Sequence, residues 1–411
     1  MLAETVAQKR QNHKPYFDLM RIIAIFFVIW NHTATYGFGL YTIQEPGSLR
    51  YWVYLMVSIF CTFAVPLFFM ISGALVLPKA TMQDVWKKRI PKQAFILIVF
   101  SLAYFFLADY QGDITKYATL NDGLGQALDN IPGGTSLADT GTVLGMSKAG
   151  LFLTVLYSGS WNFSFWFLYA YLLFLMSAPL LRAMAEKLTD RQYLYLFGLY
   201  FAYKAIVPII NWTVFKGIYT LNTNGTLTWL VPDIVIYPLA GYYLEHRFQL
   251  QTLRRKRWLL PAMWVSSFIL ILMGAILTLH RSTITGMWNE GSTQLFHRIF
   301  NLVIASAIYL TIKRWFFDKE GNPKEPGSFM TKLLTSAGSC TFGIYLLHVA
   351  VLKSDTLNID FKTACDVLPM AVVGLLQVLI TLLVCWAVTA LWKAAVKAVK
   401  KIRPGGGGSA N

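Results

Sequence analysis

The stretch FDLMRIIAIFFVIWNHT, Phe17–Thr33, decides the fold. It is apolar enough to cross a bilayer, yet it carries Asp18, Arg21, Asn31 and His32. Ionisable groups within a spanning helix are expensive and face a bundle interior or a wet cavity. At about 100° per residue, Arg21 lies about 60° from Asp18, and His32 about 40° from Asp18. All three therefore share one stripe. From Arg21 to His32 the helix rises about 16 Å, so the stripe links the start of the helix to a point deep in the membrane. Asp18 and Arg21 alone are also compatible with an interfacial i,i+3 pair, and the histidine with a satisfied cap. Three on one stripe favours function.

The rest of the chain agrees with a membrane protein. Of 411 residues, 56% are hydrophobic and 14% charged. A net charge of +16 could suggest nucleic acid. The lysines and arginines instead sit in short clusters between apolar runs, so no nucleic-acid partner is expected. Cys61, Cys340 and Cys385 fall inside apolar runs and Cys365 in a loop. That is neither a disulfide framework nor a CxxC metal pattern, and no metal is expected. The first apolar run follows basic residues as a signal peptide does, but it is too long and no small-residue cleavage site follows. It reads as a retained span.

Ten spans are expected, near 16–36, 51–77, 93–109, 163–184, 192–210, 229–245, 258–280, 299–317, 335–352 and 369–392, the third and ninth being the shortest. The fold class is all-α, a polytopic transmembrane helical bundle. With the N-terminus inside, more than two thirds of the 36 lysines and arginines fall on the cytoplasmic side, which puts both termini in the cytoplasm. The division is a cytoplasmic segment 1–15, a transmembrane domain 16–392, a basic tail 393–404 and a linker-like GGGGSAN end, 405–411. The outer segments 110–162 and 211–228 are turn-rich, and 149–157 is too short to span. Pro66 is expected to kink the second span, and Ser72 and Gly73 to permit close helix approach.

Further polar residues sit within these spans. His348 lies in GSCTFGIYLLHVAV (Gly338–Val351), as far into the ninth span as His32 is into the first, and Tyr345 shares its face at i−3. Asp233 enters the sixth span near the same level, where an interfacial role is the alternative. Lys87, Lys88, Arg89 and Lys92 cluster at a cytoplasmic mouth. They are either a topology anchor or a phosphate clamp. Trp166 belongs to WNFSFWFLYAYLLF (Trp161–Phe174), whose aromatics are by default an interfacial belt.

The series FDLMRIIAIFFVIWNH, VPLFFMISGALV, KKRIPK, FWFLYAYLLF, IYPLAGYYLE and FGIYLLH resembles acyltransferase family three, the integral-membrane acyltransferases that modify cell-surface glycans. The resemblance covers residues 16 to about 392. It implies a ten-span domain in a bacterial plasma membrane that takes an acyl group, by default acetyl, from cytoplasmic acyl-coenzyme A. A glycan or other hydroxyl acceptor receives it across the bilayer. Carried over, His32 is the catalytic histidine, with Asp18 and Arg21 as polar partners on its helix. Arg89 and Lys92, with Lys88 beside them, fall at the family's donor-associated R-x-x-R motif. Lys92 replaces the second arginine and loses its bidentate fork. A histidine near neutrality can take a proton from a hydroxyl attacking a thioester, and His348, Tyr345 or Asn31 could stabilise the oxyanion. Direct transfer and an acyl-histidine relay both fit. The rival reading is a transporter or flippase of a lipid-linked glycan, but the inverted repeats common in transporters are not found.

The topology has a direct check. Single cysteines placed in 120–140 should react with an impermeant thiol reagent from outside, and those in 250–257 only after permeabilisation. Reaction of both from one side overturns the assignment.

Overall fold

The computed structural model describes residues 14–120, 136–217, 232–288, 300–318, 321–324, 327–353, 365 and 368–402. The expected 405–411 linker, most of segment 1–15, and the turn-rich cores of both outer segments lie outside them. Among the described residues the fold is all-helical, with two isolated β-bridges, Thr119 to Ser160 and Phe317 to Pro323. The main helices are α1 (Pro15–Asn31), α2 (Leu49–Cys61), α3 (Ala64–Val76), α4 (Ile90–Gln111), α5 (Trp166–Lys187), α6 (Asp190–Phe201), α7 (Asp233–Tyr242), α8 (Leu259–Thr285), α9 (Asn301–Trp315), α10 (Ser328–Leu352) and α11 (Met370–Ile402).

Every expected span coincides with helix. Seven described stretches are long and apolar enough to cross a membrane: Leu49–Lys79, Met82–Gln111, Phe163–Lys187, Asp190–Thr213, Leu259–Thr285, Phe329–Leu352 and Met370–Val399. The lengths differ from expectation. The third and ninth segments, expected to be shortest, are helices of 22 and 25 residues. The short ones are α1 at 17 residues, α9 at 15, and α7 at 10 with a five-residue π-helical extension, Tyr243–Arg247. Charge limits an apolar window but does not stop a helix, so α4 and α10 continue past Lys92 and Lys332.

Local chemistry explains the irregularities. The second span is not merely kinked at Pro66. It is broken at Thr62–Phe63, where α2 ends and α3 begins. A proline offers no N–H to the carbonyl four residues back and its ring crowds that group, here Thr62. Two polar groups at the break, the Cys61 carbonyl and the Thr62 hydroxyl, find partners in other helices. Asn31 Nδ2 donates to the Cys61 carbonyl at 3.3 Å, and Thr62 Oγ1 to Asn301 Oδ1 at 2.9 Å. Two further π-helical turns, Val85–Arg89 and Ala202–Ile206, each end two residues before a proline, Pro91 and Pro208. Thr189 and Gln192 form a capping box that starts α6.

The helices meet backbone to backbone where glycines allow it. A Cβ on Gly73 in α3 would lie 2.0 Å from the Pro238 carbonyl oxygen in α7, and one on Gly241 would lie 1.9 Å from that of Met70. Two glycines thus clear one crossing from both sides, as small residues do in membrane bundles. α1 packs against α3 and α10, and α10 against α11. At one end Glu245, in the π turn after α7, gathers four partners. Lys14 Nζ (2.5 Å) and the Tyr16 hydroxyl (2.6 Å) reach Oε1, while Tyr309 (2.9 Å) and Lys313 (3.0 Å) reach Oε2. This ties the start of α1 to α7 and α9.

Replacing Gly73 by valine should lower the melting temperature of the detergent-solubilised protein, an overpacking cost of about 1–3 kcal/mol or more. Gly198→Ala, where nothing lies within 4 Å of the new Cβ, should leave melting unchanged or raise it. Equal melting of Gly73→Val and the parent would contradict the close crossing.

Candidate active site

The polar residues of α1 do not all face one way. Asp18 is buried against α10, where a Cβ on Gly338 would come 2.4 Å from the Asp18 Cβ. Arg21 Nη1 donates to Asp18 Oδ1 at 3.0 Å. Arg21, Asn31 and His32 line a cavity of about 1080 Å³, whereas Asp18 stands behind that wall. The single stripe expected from the helical wheel is therefore split. Asp18 positions Arg21, and Arg21 meets the space.

The same cavity is lined at one end by Arg89, Lys92 and Gln93 of α4 and its approach, and elsewhere by Asp233, Asn301, Thr62, Trp166 and Tyr345. Arg89 Nε contacts Asp84 Oδ2 at 2.5 Å, which pins the guanidinium at the mouth. Lys88 is set apart. Its side chain is 77% exposed, it lies 3.9 Å from Asp84, and it is not on the cavity wall. Of the basic cluster, Arg89 and Lys92 face the space and Lys88 faces solvent. Trp166 is half exposed while lining the cavity. Asp233 accepts from the Tyr200 hydroxyl at 2.9 Å and pairs with Lys204 at 3.4 Å.

His32 and His348, 316 residues apart, meet. Their Nδ1 and Nε2 atoms are 3.0 Å apart and the rings stack at 5.1 Å. His348 is fully buried and does not line the cavity, so it has no route to a ligand oxyanion. His348 Nδ1 lies 2.6 Å from the Tyr345 carbonyl oxygen, which can only accept. That places the proton of neutral His348 on Nδ1 and leaves Nε2 as acceptor. His32 must then donate through Nδ1, and its Nε2 keeps the lone pair. The chain Tyr345 carbonyl, His348, His32 fixes the tautomer of the cavity-facing ring, as a base–orienter pair does. Phe163 holds the other side of His32 edge-on at 5.1 Å, with Lys353 Nζ 4.6 Å from the Phe163 ring centroid.

Neighbouring groups hold this arrangement. The Tyr345 hydroxyl donates to the Ser164 carbonyl at 2.5 Å, so it is already engaged as a donor. The Tyr104 hydroxyl donates to the Leu346 carbonyl at 3.0 Å and accepts from the Ala350 N–H at 3.1 Å, bracing α10 around His348. Of the expected oxyanion donors, Asn31 and Tyr345 line the wall, and Asn31 is the one that keeps a side-chain hydrogen to spare. One amide hydrogen goes to Cys61, and its Oδ1 is buried without a partner. Gln93, Thr62 and Asn301 escaped sequence reasoning. Gln93 was detectable at i+4 from Arg89 on one helix face. Asn301 and Thr62 gave no signal beyond being polar in apolar runs.

Among the described residues the protein is an all-helical, polytopic bundle in which one ring of a histidine pair faces a partly cationic cavity. The family model described as an acyltransferase domain, acyltransferase family 3, matches residues 14–390. The chain belongs to this family and is an acyltransferase. No individual curated protein and no solved structure matches it.

The tautomer chain makes a specific expectation. His348→Phe should cut acyl-transfer kcat by about 10–100-fold with little change in donor KM, by analogy with the loss of outer-sphere orienting partners. His348→Gln, which can still accept from His32 Nδ1, should recover part of it. No difference between the two variants would argue that His348 serves packing alone.

Proposed function

We propose that this protein moves an acyl group, by default acetyl, from cytoplasmic acyl-coenzyme A to a hydroxyl of a cell-surface or lipid-linked glycan. In this reading it sits in a bacterial plasma membrane with ten crossings and both termini in the cytoplasm. The observation that carries it is one cavity lined both by Arg21, Arg89 and Lys92 and by His32. Cations suit phosphates at the mouth. The rise of about 16 Å from Arg21 to His32 suits a long, thin donor arm. The alternative of a glycan flippase does not account for a tautomer-fixed histidine facing that cavity.

The chemistry follows from the residues. Bound acyl-coenzyme A would supply an activated thioester carbonyl. Arg89 and Lys92 hold phosphates at the mouth, with Arg21 next along the wall. His32 Nε2 accepts the proton of the acceptor hydroxyl as the new C–O bond forms. It returns that proton to the sulfur as the C–S bond breaks. The imidazolium formed in between is stabilised because its Nδ1–H already points at His348 Nε2. The second amide hydrogen of Asn31 is the available side-chain donor toward developing negative charge. Asp233 and Asn301 offer polar groups for the acceptor's other hydroxyls.

Following free thiol with labelled acetyl-coenzyme A tests the reading. His32→Ala should reduce turnover 10²–10⁴-fold while the protein still binds donor. Arg89→Ala should raise donor KM with a smaller effect on acceptor KM. Substantial turnover by a folded His32→Ala enzyme would remove His32 from the mechanism. Unchanged donor kinetics in Arg89→Ala would reduce the basic cluster to a topology signal.

A further inference from the structure

Gln93 has no part in the chemistry above, and its environment calls for one. It is 6% exposed, it lines the cavity, and its Nε2 is buried with no hydrogen-bond partner. A buried amide donor without an acceptor forfeits its hydration and receives nothing for it. Ser101, further along α4, is also buried with an unpartnered oxygen, but it is not on the cavity wall. Gln93 alone on this helix joins an unpartnered donor to the cavity wall; Nε2 itself has no accessible surface, and a half-turn of the carboxamide about χ3 is what presents it to a ligand.

Its place in the helix says what it faces. Arg89, Lys92, Gln93 and Ile96 all line the cavity. Their spacing is i, i+3, i+4, i+7, one continuous face. Read inward from the mouth, that face is cation, cation, neutral amide, aliphatic. Gln93 lies about 6 Å beyond Arg89 along the axis. The pantetheine arm of coenzyme A changes character in the same order: phosphate, then a branched hydroxyacyl unit, then a first amide, then methylenes. Lysine and arginine stems can swing their charged heads toward the wet mouth, but the short carboxamide stays at its own depth. A neutral donor suits a neutral carbonyl better than a phosphate, which the two cations already serve.

We propose that Gln93 reads the donor arm: its Nε2 donates to the first amide carbonyl of pantetheine and so sets the register of the thioester relative to His32. The proposal rests on the acyl-coenzyme A reading above. It makes Gln93 a positioning residue, and it makes the enzyme selective for pantetheine thioesters over shorter thioesters.

Three donors separate the possibilities: acetyl-coenzyme A, acetyl-pantetheine, which lacks the nucleotide and diphosphate, and the acetyl thioester of N-acetylcysteamine, which also lacks the first amide. Gln93→Met keeps side-chain length without the donor, and Gln93→Glu opposes the carbonyl with a carboxylate. Direct binding of coenzyme A should be measured by calorimetry beside thiol release, with melting curves to verify folding. Gln93→Met should weaken coenzyme A binding and lower kcat/KM about five- to twenty-fold for the first two donors. It should leave the cysteamine thioester unchanged, and Gln93→Glu should be worse in the same pattern. Arg89→Ala should instead affect acetyl-coenzyme A alone. If Gln93→Met spares acetyl-pantetheine, Gln93 serves phosphate and the proposal fails. If all three donors fall equally in a folded variant, its role is structural and the proposal fails. A parent enzyme that binds no coenzyme A and releases no thiol from any donor overturns both this proposal and the reading beneath it.

Discussion

The close approach of α1 to α10 is the constraint on which the site depends. At one level Gly338 lets Asp18 press against the α10 backbone, and at another His32 and His348 are 3.0 Å apart. These contacts are coupled because both helices are stiff rods with a fixed rise per residue. A side chain at position 338 would displace Asp18, and with it the Arg21 guanidinium that Asp18 holds. The same displacement would separate the two imidazoles. One small residue therefore bears on both the Arg21 wall and the His32 end of the cavity.

Polar groups in this bundle follow the rule that an apolar interior must satisfy its own members. Glu245 does so without the cavity, through Lys14, Tyr16, Tyr309 and Lys313. Removing one partner of such a buried network typically costs about 3–5 kcal/mol, because it strands a charge rather than exposing it. Asp233 does so through Tyr200 and Lys204. The exceptions are informative. Among the described residues, Asn31 Oδ1 and Gln93 Nε2 are unpartnered on residues of the cavity wall, while Ser101, Asn162, Gln377 and Thr389 carry unpartnered atoms away from it. Unsatisfied groups tolerated beside accessible space are the ones a ligand can complete.

Breaks in regular helix fall beside the site as well. The Thr62–Phe63 break places Thr62 on the wall and draws Asn31 onto Cys61. The π turn before Pro91 ends at Arg89, the residue that meets the mouth. Proline chemistry imposes both irregularities, and the cavity uses the side chains they redirect.

The sequence by itself determined the all-helical bundle, the helical location of each expected span, the family, and the shared level of His32 and His348. Apolar length, charge placement and axial rise are local properties, and they survive folding unchanged. It did not determine helix lengths around Lys92 and Lys332, because a charged residue ends an apolar window without ending a helix. Nor did it determine which faces meet. A helical wheel puts Asp18, Arg21 and His32 on one stripe about 60° wide, but only the packing of α10 against that stripe decides that Asp18 is covered while Arg21 and His32 stay open. Likewise His348 read as a group that could touch a ligand until its ring was found behind His32, both nitrogens engaged. Neighbours hundreds of residues away make those choices, and their contacts leave no periodic trace in one chain.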